Sequence, residues 1–261
     1  MKSIAAAFLF LSASPAFADD ALNEHVGVRV REWFARMAGT IEADGGTGSS
    51  TQISLGNDLG LSNRHLTHEV QAYGRIPFVG RIYAGWWEHE DSGSSILSRT
   101  IDFAGQNYTI ATPITTSTQL DVYYLNYEFV FPTLPLGELL QVELALQAGI
   151  RALHGVGSIS SPVSGTDGGW VGFPTIGGHV MLGIASWVRV EAEVLGMGFS
   201  YGNDRMSYIE AYGEAVFTPV PWVFVGVGYK YASLGIHHLG AEIFKFVTGV
   251  SGVYITAGFR F

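Results

Sequence analysis

The sequence lacks cysteine altogether, and only 14% of its 261 residues are charged. The missing cysteines exclude a disulfide-stabilised scaffold, and the charged fraction falls well below the ~25% of ordinary soluble domains. Basic residues are scarce, because 14 lysines and arginines stand against 23 aspartates and glutamates. Nucleic-acid-binding proteins carry a basic surface, so this balance argues against a nucleic-acid partner. The aromatic content of 13% also excludes a disordered chain.

No apolar run is long enough for a transmembrane helix, which needs about 20 residues. The run Ile4–Leu11 follows Lys2 and precedes Ala16-Phe17-Ala18, which matches an A-x-A cleavage pattern. A basic residue, a short apolar run and a cleavage site in that order indicate a secretory signal peptide. Residues 1–18 are therefore predicted to be removed, and residues 19–261 to be exported as one domain.

What the sequence does contain is an alternation of apolar and polar residues with a period of two. In 140–152, Leu144 and Leu146 share one face, whereas Glu143 and Arg151 share the other. A soluble β-sandwich would also alternate. Here, however, the polar faces mix glycine with glutamate and arginine, and aromatic residues gather at strand ends, as at a membrane interface. The pattern predicts an all-β protein, a closed antiparallel transmembrane β-barrel.

Short turns and longer polar loops alternate strictly along the chain and separate ten predicted strands. These strands are 25–41, 65–76, 80–89, 118–131, 139–153, 171–184, 187–201, 206–217, 222–234 and 251–261. The long loops are 43–63, 90–117, 154–170 and 235–250, with a shorter one at 202–205. An even number of strands puts both termini on the periplasmic side. A hairpin around Gly105-Gln106-Asn107 would raise the count to twelve, which is the alternative. The reversed alternation after Trp33 predicts a β-bulge near Arg31–Glu32.

The last nine residues, Val253-Tyr254-Ile255-Thr256-Ala257-Gly258-Phe259-Arg260-Phe261, resemble the C-terminal signal of bacterial outer-membrane barrels. Phe259 and Phe261 would carry that signal. The whole mature chain is similar in pattern to small outer-membrane β-barrel proteins of the OmpA-barrel, OmpW and opacity-protein type. This resemblance implies residence in the outer membrane of a Gram-negative bacterium. It also implies the barrel-assembly machinery, membrane lipid and lipopolysaccharide as partners, but no motif transfers a functional residue.

The face opposite the apolar one should line the lumen, and its charges nearly balance. The predicted lumen-lining residues are Glu69, Arg75, Arg81, Glu128, Glu143, Arg151, Arg189, Glu191, Glu193, Glu210, Glu214, Lys230 and Arg260, with Arg36 added by the bulge. A barrel of about eight strands is just filled by side chains, and buried charges are tolerated when they are paired. The favoured interpretation is therefore a structural or surface protein with a lumen plugged by ion pairs. The other is a narrow passage for small solutes.

The sequence contains few residues that suggest an enzyme, and neither a cofactor nor a metal site is predicted. Some ten-stranded outer-membrane proteases use acid/acid and acid/histidine pairs at the outer rim. The weak catalytic candidates here are His89, which lies among carboxylates in Glu88–Asp91, and Asp204 in a short loop. His65 and His68 should point to opposite faces of a strand and so form no chelate. A rim hydrolase and an adhesin acting through loops 43–63 and 90–117 are the alternative functions.

Overall fold

The computed structural model describes residues 25–44, 50–61, 63–76, 80–103, 106–136, 140–161, 164–239 and 243–261. Ten long antiparallel strands form the barrel: β1 (Val26–Asp44), β3 (Arg64–Ile76), β4 (Gly80–Ile96), β7 (Pro113–Val130), β9 (Gln141–Ser160), β10 (Ser164–Ala185), β11 (Val188–Tyr201), β12 (Asp204–Val220), β13 (Val223–Leu239) and β14 (Ile243–Arg260). The first strand, β1, pairs with both β3 and β14, so the sheet closes. Closure satisfies the backbone groups that an open edge would expose to lipid. The predicted antiparallel barrel of ten strands is confirmed.

Four shorter strands lie outside this ring. β2 (Ser50–Ser54) pairs with the end of β1, and β8 (Leu134–Pro135) pairs with the start of β9. β5 (Ile101–Phe103) and β6 (Gln106–Tyr108) form a separate two-stranded sheet. The hairpin suspected in 90–117 therefore exists but does not join the barrel wall, and the twelve-strand alternative is wrong.

Both described ends of the chain lie at one end of the barrel, because the amide of His25 donates to the carbonyl oxygen of Phe261 at 2.9 Å. The short connections at 186–187 and 221–222 lie at the same end. Short turns mark the periplasmic side of such barrels. We call this the turn end and the opposite one the loop end. The signal-peptide segment 1–18 lies outside the described residues and stays a prediction.

The strands continue further toward the loop end than the sequence indicated. β9 and β10 pair from Gly183↔Gln141 to Ser164↔Ser160, so most of the predicted loop 154–170 is a strand hairpin. β13 and β14 likewise occupy most of the predicted loop 235–250. A tilted strand of 20 residues rises roughly 50 Å along the barrel axis, whereas the lipid-facing band is ~25 Å tall. The outer parts project beyond lipid, which explains why they lose the apolar alternation but keep their backbone pairing.

The bulge predicted near Arg31–Glu32 is absent. β1 keeps one register from Gly27↔Arg260 to Ala43↔Phe244 along β14, and it is equally regular along β3. Trp33 consequently points inward with Arg31, and Arg36 is exposed on the outside. The prediction of Arg36 in the lumen was wrong, because apolar residues face lipid only along part of the strand. Toward the loop end the interior itself is mainly apolar.

The barrel exterior carries a broad set of exposed aliphatic and aromatic side chains. They include Val28, Phe34, Leu125, Leu146, Ile150, Ile176, Trp187, Val194, Trp222, Val227, Ile255, Phe259 and Phe261. A contiguous apolar surface of this kind marks a membrane-facing region. Within the described part of the chain, no helix is long and apolar enough to cross a membrane.

Candidate functional site: the charged lumen and its apolar cap

Charged side chains crowd the interior of the turn-end half. Of the thirteen residues predicted to line the lumen, twelve are buried and Arg75 is partly buried. Arg29 and Arg31 join them, and the sequence analysis assigned neither, although both alternate with the outward Val28 and Val30. An unbroken alternation from Val26 through Val30 into Glu32 was the signal that could have found them.

Arg31 links strands that are not neighbours in the wall. Its guanidinium lies 3.1 Å from a carboxylate oxygen of Glu69 on β3 and 3.2 Å from one of Glu214 on β12. The hydroxyl of Tyr254 donates to Glu214 at 3.0 Å, and the guanidinium carbon lies 4.6 Å from the ring centre of Tyr212. Because β13 and β14 separate β1 from β12, the Arg31–Glu214 contact crosses the lumen.

Lys230 makes a second contact across the lumen. Its ammonium group lies 3.0 Å from both Glu69 and Glu210, and Arg151 approaches Glu210 at 3.4 Å. The same ammonium group lies 4.6 Å from the ring centre of Trp33. A cation shared by two carboxylates and an aromatic face is held without access to water.

The network continues to the turn-end mouth. Arg29 binds Glu191 at 2.5 Å. Arg81 bridges Glu128, at 3.1 Å, and Glu143. These pairs satisfy charges that would otherwise be too costly to bury. These ion pairs and the buried tyrosines fill the turn-end half of the lumen with side chains.

The loop-end half of the lumen is mainly apolar, although the polar side chains of Thr67, His89, Asp91, Thr116 and Thr248 are buried there too. Trp33 and Trp87 face each other with ring centres 5.4 Å apart, and the indole N–H of Trp33 donates to Glu69 at 3.3 Å. Beyond them lie the buried side chains of Met37, Leu120, Val122, Leu153, Leu234 and Val250. A cavity lined by Trp87, Leu120 and Leu153 measures only about 10 Å³, which is space for about one water.

Residues 50–61, 97–103 and 106–114 cover this layer, and we call them the cap. Their buried side chains are Ile53, Leu55, Leu59, Leu61, Leu97, Ile101, Tyr108 and Ile114. Gly60 adopts φ +73° and packs against the backbone of Ser94, where a Cβ atom would come within 2.7 Å of the carbonyl oxygen. Only glycine fits both the left-handed conformation and this close approach.

Asp58 fastens the cap. Its carboxylate accepts hydrogen bonds from the amide of Ser54 at 2.8 Å, from the guanidinium of Arg99 at 2.5 Å and from the hydroxyl of Ser98 at 3.3 Å. Burial alone would raise the pKa of Asp58, but the Ser54 amide and the Arg99 guanidinium outweigh it and lower the pKa below its ordinary value. The charged form of Asp58 is thus part of the folded cap.

The two catalytic candidates lie apart. His89 is 0% exposed, and its Nδ1 lies 2.6 Å from the hydroxyl of Thr67. Asp204 is exposed at the start of β12. Near His89, the Nε2 of His65 contacts Asp91 at 2.8 Å, and the His65 side chain is 33% exposed. His68 instead contacts Glu32 on the outer face, so His65 and His68 do not meet.

No protein-family model matches the sequence, and no curated protein is similar to it. Among solved structures, the outer membrane protease OmpT of Escherichia coli matches with a TM-score of 0.55 and 10% identity, over 90% of this chain and 96% of that one. The attachment invasion locus protein Ail of Yersinia pestis gives a TM-score of 0.36 at 12% identity, over 91% and 99%. The toluene transporter TodX of Pseudomonas putida gives 0.32 at 7%, over 94% and 93%.

The likeness to OmpT concerns the fold, since the identity is low. A closed ten-stranded antiparallel barrel with an apolar exterior is the architecture of small bacterial outer-membrane proteins. The chain is therefore an outer-membrane β-barrel protein, and the expected class and location are confirmed.

Proposed function

We propose that this protein is a structural or surface-exposed barrel of the outer membrane that conducts neither ions nor solutes. The observation that carries this proposal is the filling of the lumen by two successive layers, one of ion pairs and one of mainly apolar side chains. A solute would have to displace buried, paired charges first and a packed apolar layer next. A selective pore would instead carry a path lined by polar groups or by charges of one sign.

The cap supports the same function. Its leucines and isoleucines pack on the apolar layer rather than stand free above the membrane, so it closes the lumen at the loop end. The cap also turns polar residues such as Asn57 and Thr109 to solvent. A surface role would therefore act through the outer face of a rigid cap.

The two alternative functions have less support. A rim hydrolase based on His89 lacks an accessible base, because the ring is fully buried. His65 with Asp91 is the better placed pair, yet a histidine–aspartate contact on adjacent strands also occurs as a plain structural pair. Adhesion through 43–63 and 90–117 would have to use the outer surface of the cap. Lipopolysaccharide and the assembly machinery stay predicted partners.

Single-channel recording in a planar bilayer tests the proposal. Refolded wild-type protein should be silent over a wide voltage range. Faster migration of the unboiled protein on gels, together with recovery of folded protein from the bilayer lipid, would show that silence does not reflect failed insertion. A double variant, Trp33→Ala with Trp87→Ala, thins the apolar layer and serves as the comparison. Steady, discrete openings by the wild type would overturn the proposal.

A further inference from the structure

One cluster in the charged lumen differs from the others in composition. A ligand atom from each of Glu128, His179 and Glu193 lies within 4.8 Å of the other two, and all three residues are buried. The Nδ1 of His179 lies 2.9 Å from a carboxylate oxygen of Glu128. The side-chain amide of Gln147 donates to Glu193 at 3.0 Å and to Glu128 at 3.4 Å.

The strand register builds this cluster. Glu128 on β7 lies directly opposite Gln147 on β9, and His179 on β10 lies directly opposite Glu193 on β11. Two cross-strand pairs on four consecutive strands therefore converge inside the barrel. Side chains on a rigid sheet are held more firmly than side chains on loops, which favours a defined coordination geometry.

The charges of the cluster are not balanced in the way that the neighbouring pairs are. Within the described residues, Glu193 alone among the buried interior glutamates has no ion pair with an arginine, lysine or histidine, and only Gln147 donates to it. Arg81 contacts Glu128 but is shared with Glu143. His179 and Arg151 act on Glu193 only from beyond ion-pair distance, and a buried carboxylate without a cation in contact is costly.

Three buried polar atoms of the cluster also lack a hydrogen-bond partner, namely the Oε2 of Glu128, the Nε2 of His179 and the Oε1 of Gln147. The Oε2 of Glu128 has an ion pair with Arg81 at 3.1 Å, which leaves the atoms of His179 and Gln147 without a partner. The His179 side chain is only 2% exposed, so bulk solvent does not compensate for the missing bond. Unsatisfied atoms of this kind in a buried site call for an explanation such as an ion.

We propose that Glu128, His179 and Glu193 bind a divalent transition-metal ion, with Zn²⁺ as the ion to test. Imidazole nitrogen and carboxylate oxygen are ligands of Zn²⁺. Rotation of the Gln147 amide would exchange its NH₂ group for Oε1, which adds a fourth donor. The ion places a positive charge in direct contact with Glu193 and ties β7, β9, β10 and β11 together.

The experiment is Zn²⁺ titration by calorimetry on refolded protein without an affinity tag, after EDTA treatment and dialysis, at pH 7.5. We expect one Zn²⁺ per barrel. His179→Gln and Glu193→Gln should each abolish this binding, whereas His154→Gln should retain it. Binding should also weaken at pH 5.5, because protons compete for imidazole and carboxylate ligands.

Cobalt provides a second readout that is independent of affinity. Co²⁺ added to the wild type should give visible absorption bands from nitrogen and oxygen ligands, and His179→Gln should remove them. Gel mobility of the unboiled protein checks that each variant folds; if His179→Gln does not fold, Glu193→Gln and the Co²⁺ spectrum of the wild type decide. Absence of Zn²⁺ binding by the wild type overturns the proposal, as does unchanged binding by a folded His179→Gln or Glu193→Gln variant.

Discussion

The two halves of the barrel interior are filled by different kinds of side chain. Toward the turn end the lumen is filled by ion pairs such as Arg31 with Glu69 and Glu214. Toward the loop end it is filled by apolar side chains such as Leu153 and Val250 under a folded cap. Trp33 lies at the boundary, because its ring packs in the apolar layer while its N–H donates to Glu69.

The difference reflects what surrounds each half. Within lipid, the outward positions must be apolar, so sequence alternation leaves the inward positions for polar residues that pair with one another. Beyond lipid the outer face is wet, and the inward positions can be apolar as in a soluble protein. The stability of the turn-end half therefore depends on ion pairs, whereas that of the loop-end half depends on packing.

The largest effect is expected in the charged half. Arg31→Met removes the cation shared by Glu69 and Glu214 and leaves two buried carboxylates short of a partner. Breaking a buried pair in this way costs about 3–5 kcal/mol. Urea unfolding of the protein in lipid vesicles, followed by tryptophan fluorescence, measures the loss. The control is Arg36→Met on the exposed face of the same strand, and equal losses for the two variants would contradict a paired lumen.

A somewhat smaller effect is expected in the apolar half. Leu153 is 2% exposed on β9, and Leu153→Ala creates a cavity that costs about 3 kcal/mol. The same unfolding experiment applies. Leu146→Ala, on the same strand but 60% exposed to the outside, leaves no cavity and should cost less than half as much. A larger loss of unfolding free energy for Leu146→Ala would show that the apolar layer at the loop end is not tightly packed.

The smallest effect is expected at the cap. Asp58→Asn weakens the charged hydrogen bonds from Ser54 and Arg99, at a cost of about 1–2 kcal/mol in local opening. Because folding lowers the pKa of Asp58, its stabilisation is present above the ordinary carboxyl value of about 4 and is lost as the pH falls below it. Hydrogen exchange at the amides of Leu59 and Leu61 measures cap opening. A pH response that persists in Asp58→Asn would assign it to another group.

Much of the fold could be predicted because lipid imposes a strict rule on each strand. The alternation of Leu144, Leu146 and Ile150 with Glu143 and Arg151 was enough to place β9 and its two faces. The rule fails where lipid ends, so alternation does not predict the outer hairpins of β9 with β10 and of β13 with β14. It also fails for Trp33, whose inward position depends on what fills the barrel at that height.

The candidate metal cluster could not be read from the sequence. Glu128 and His179 are 51 residues apart, and His179 and Glu193 are 14 apart. Neither spacing matches a short chelating motif. Their convergence follows from strand register, which backbone pairing sets across four strands.

A ten-stranded barrel can be predicted from strand alternation and turn spacing, because these are local properties of the sequence that lipid and closure then enforce. Which charges pair, where the interior becomes mainly apolar and how the cap closes it are visible in the folded protein alone. Those contacts join strands that are distant in the chain, such as Arg31 with Glu214. They depend on register and on the height of each residue in the barrel, and local pattern records neither.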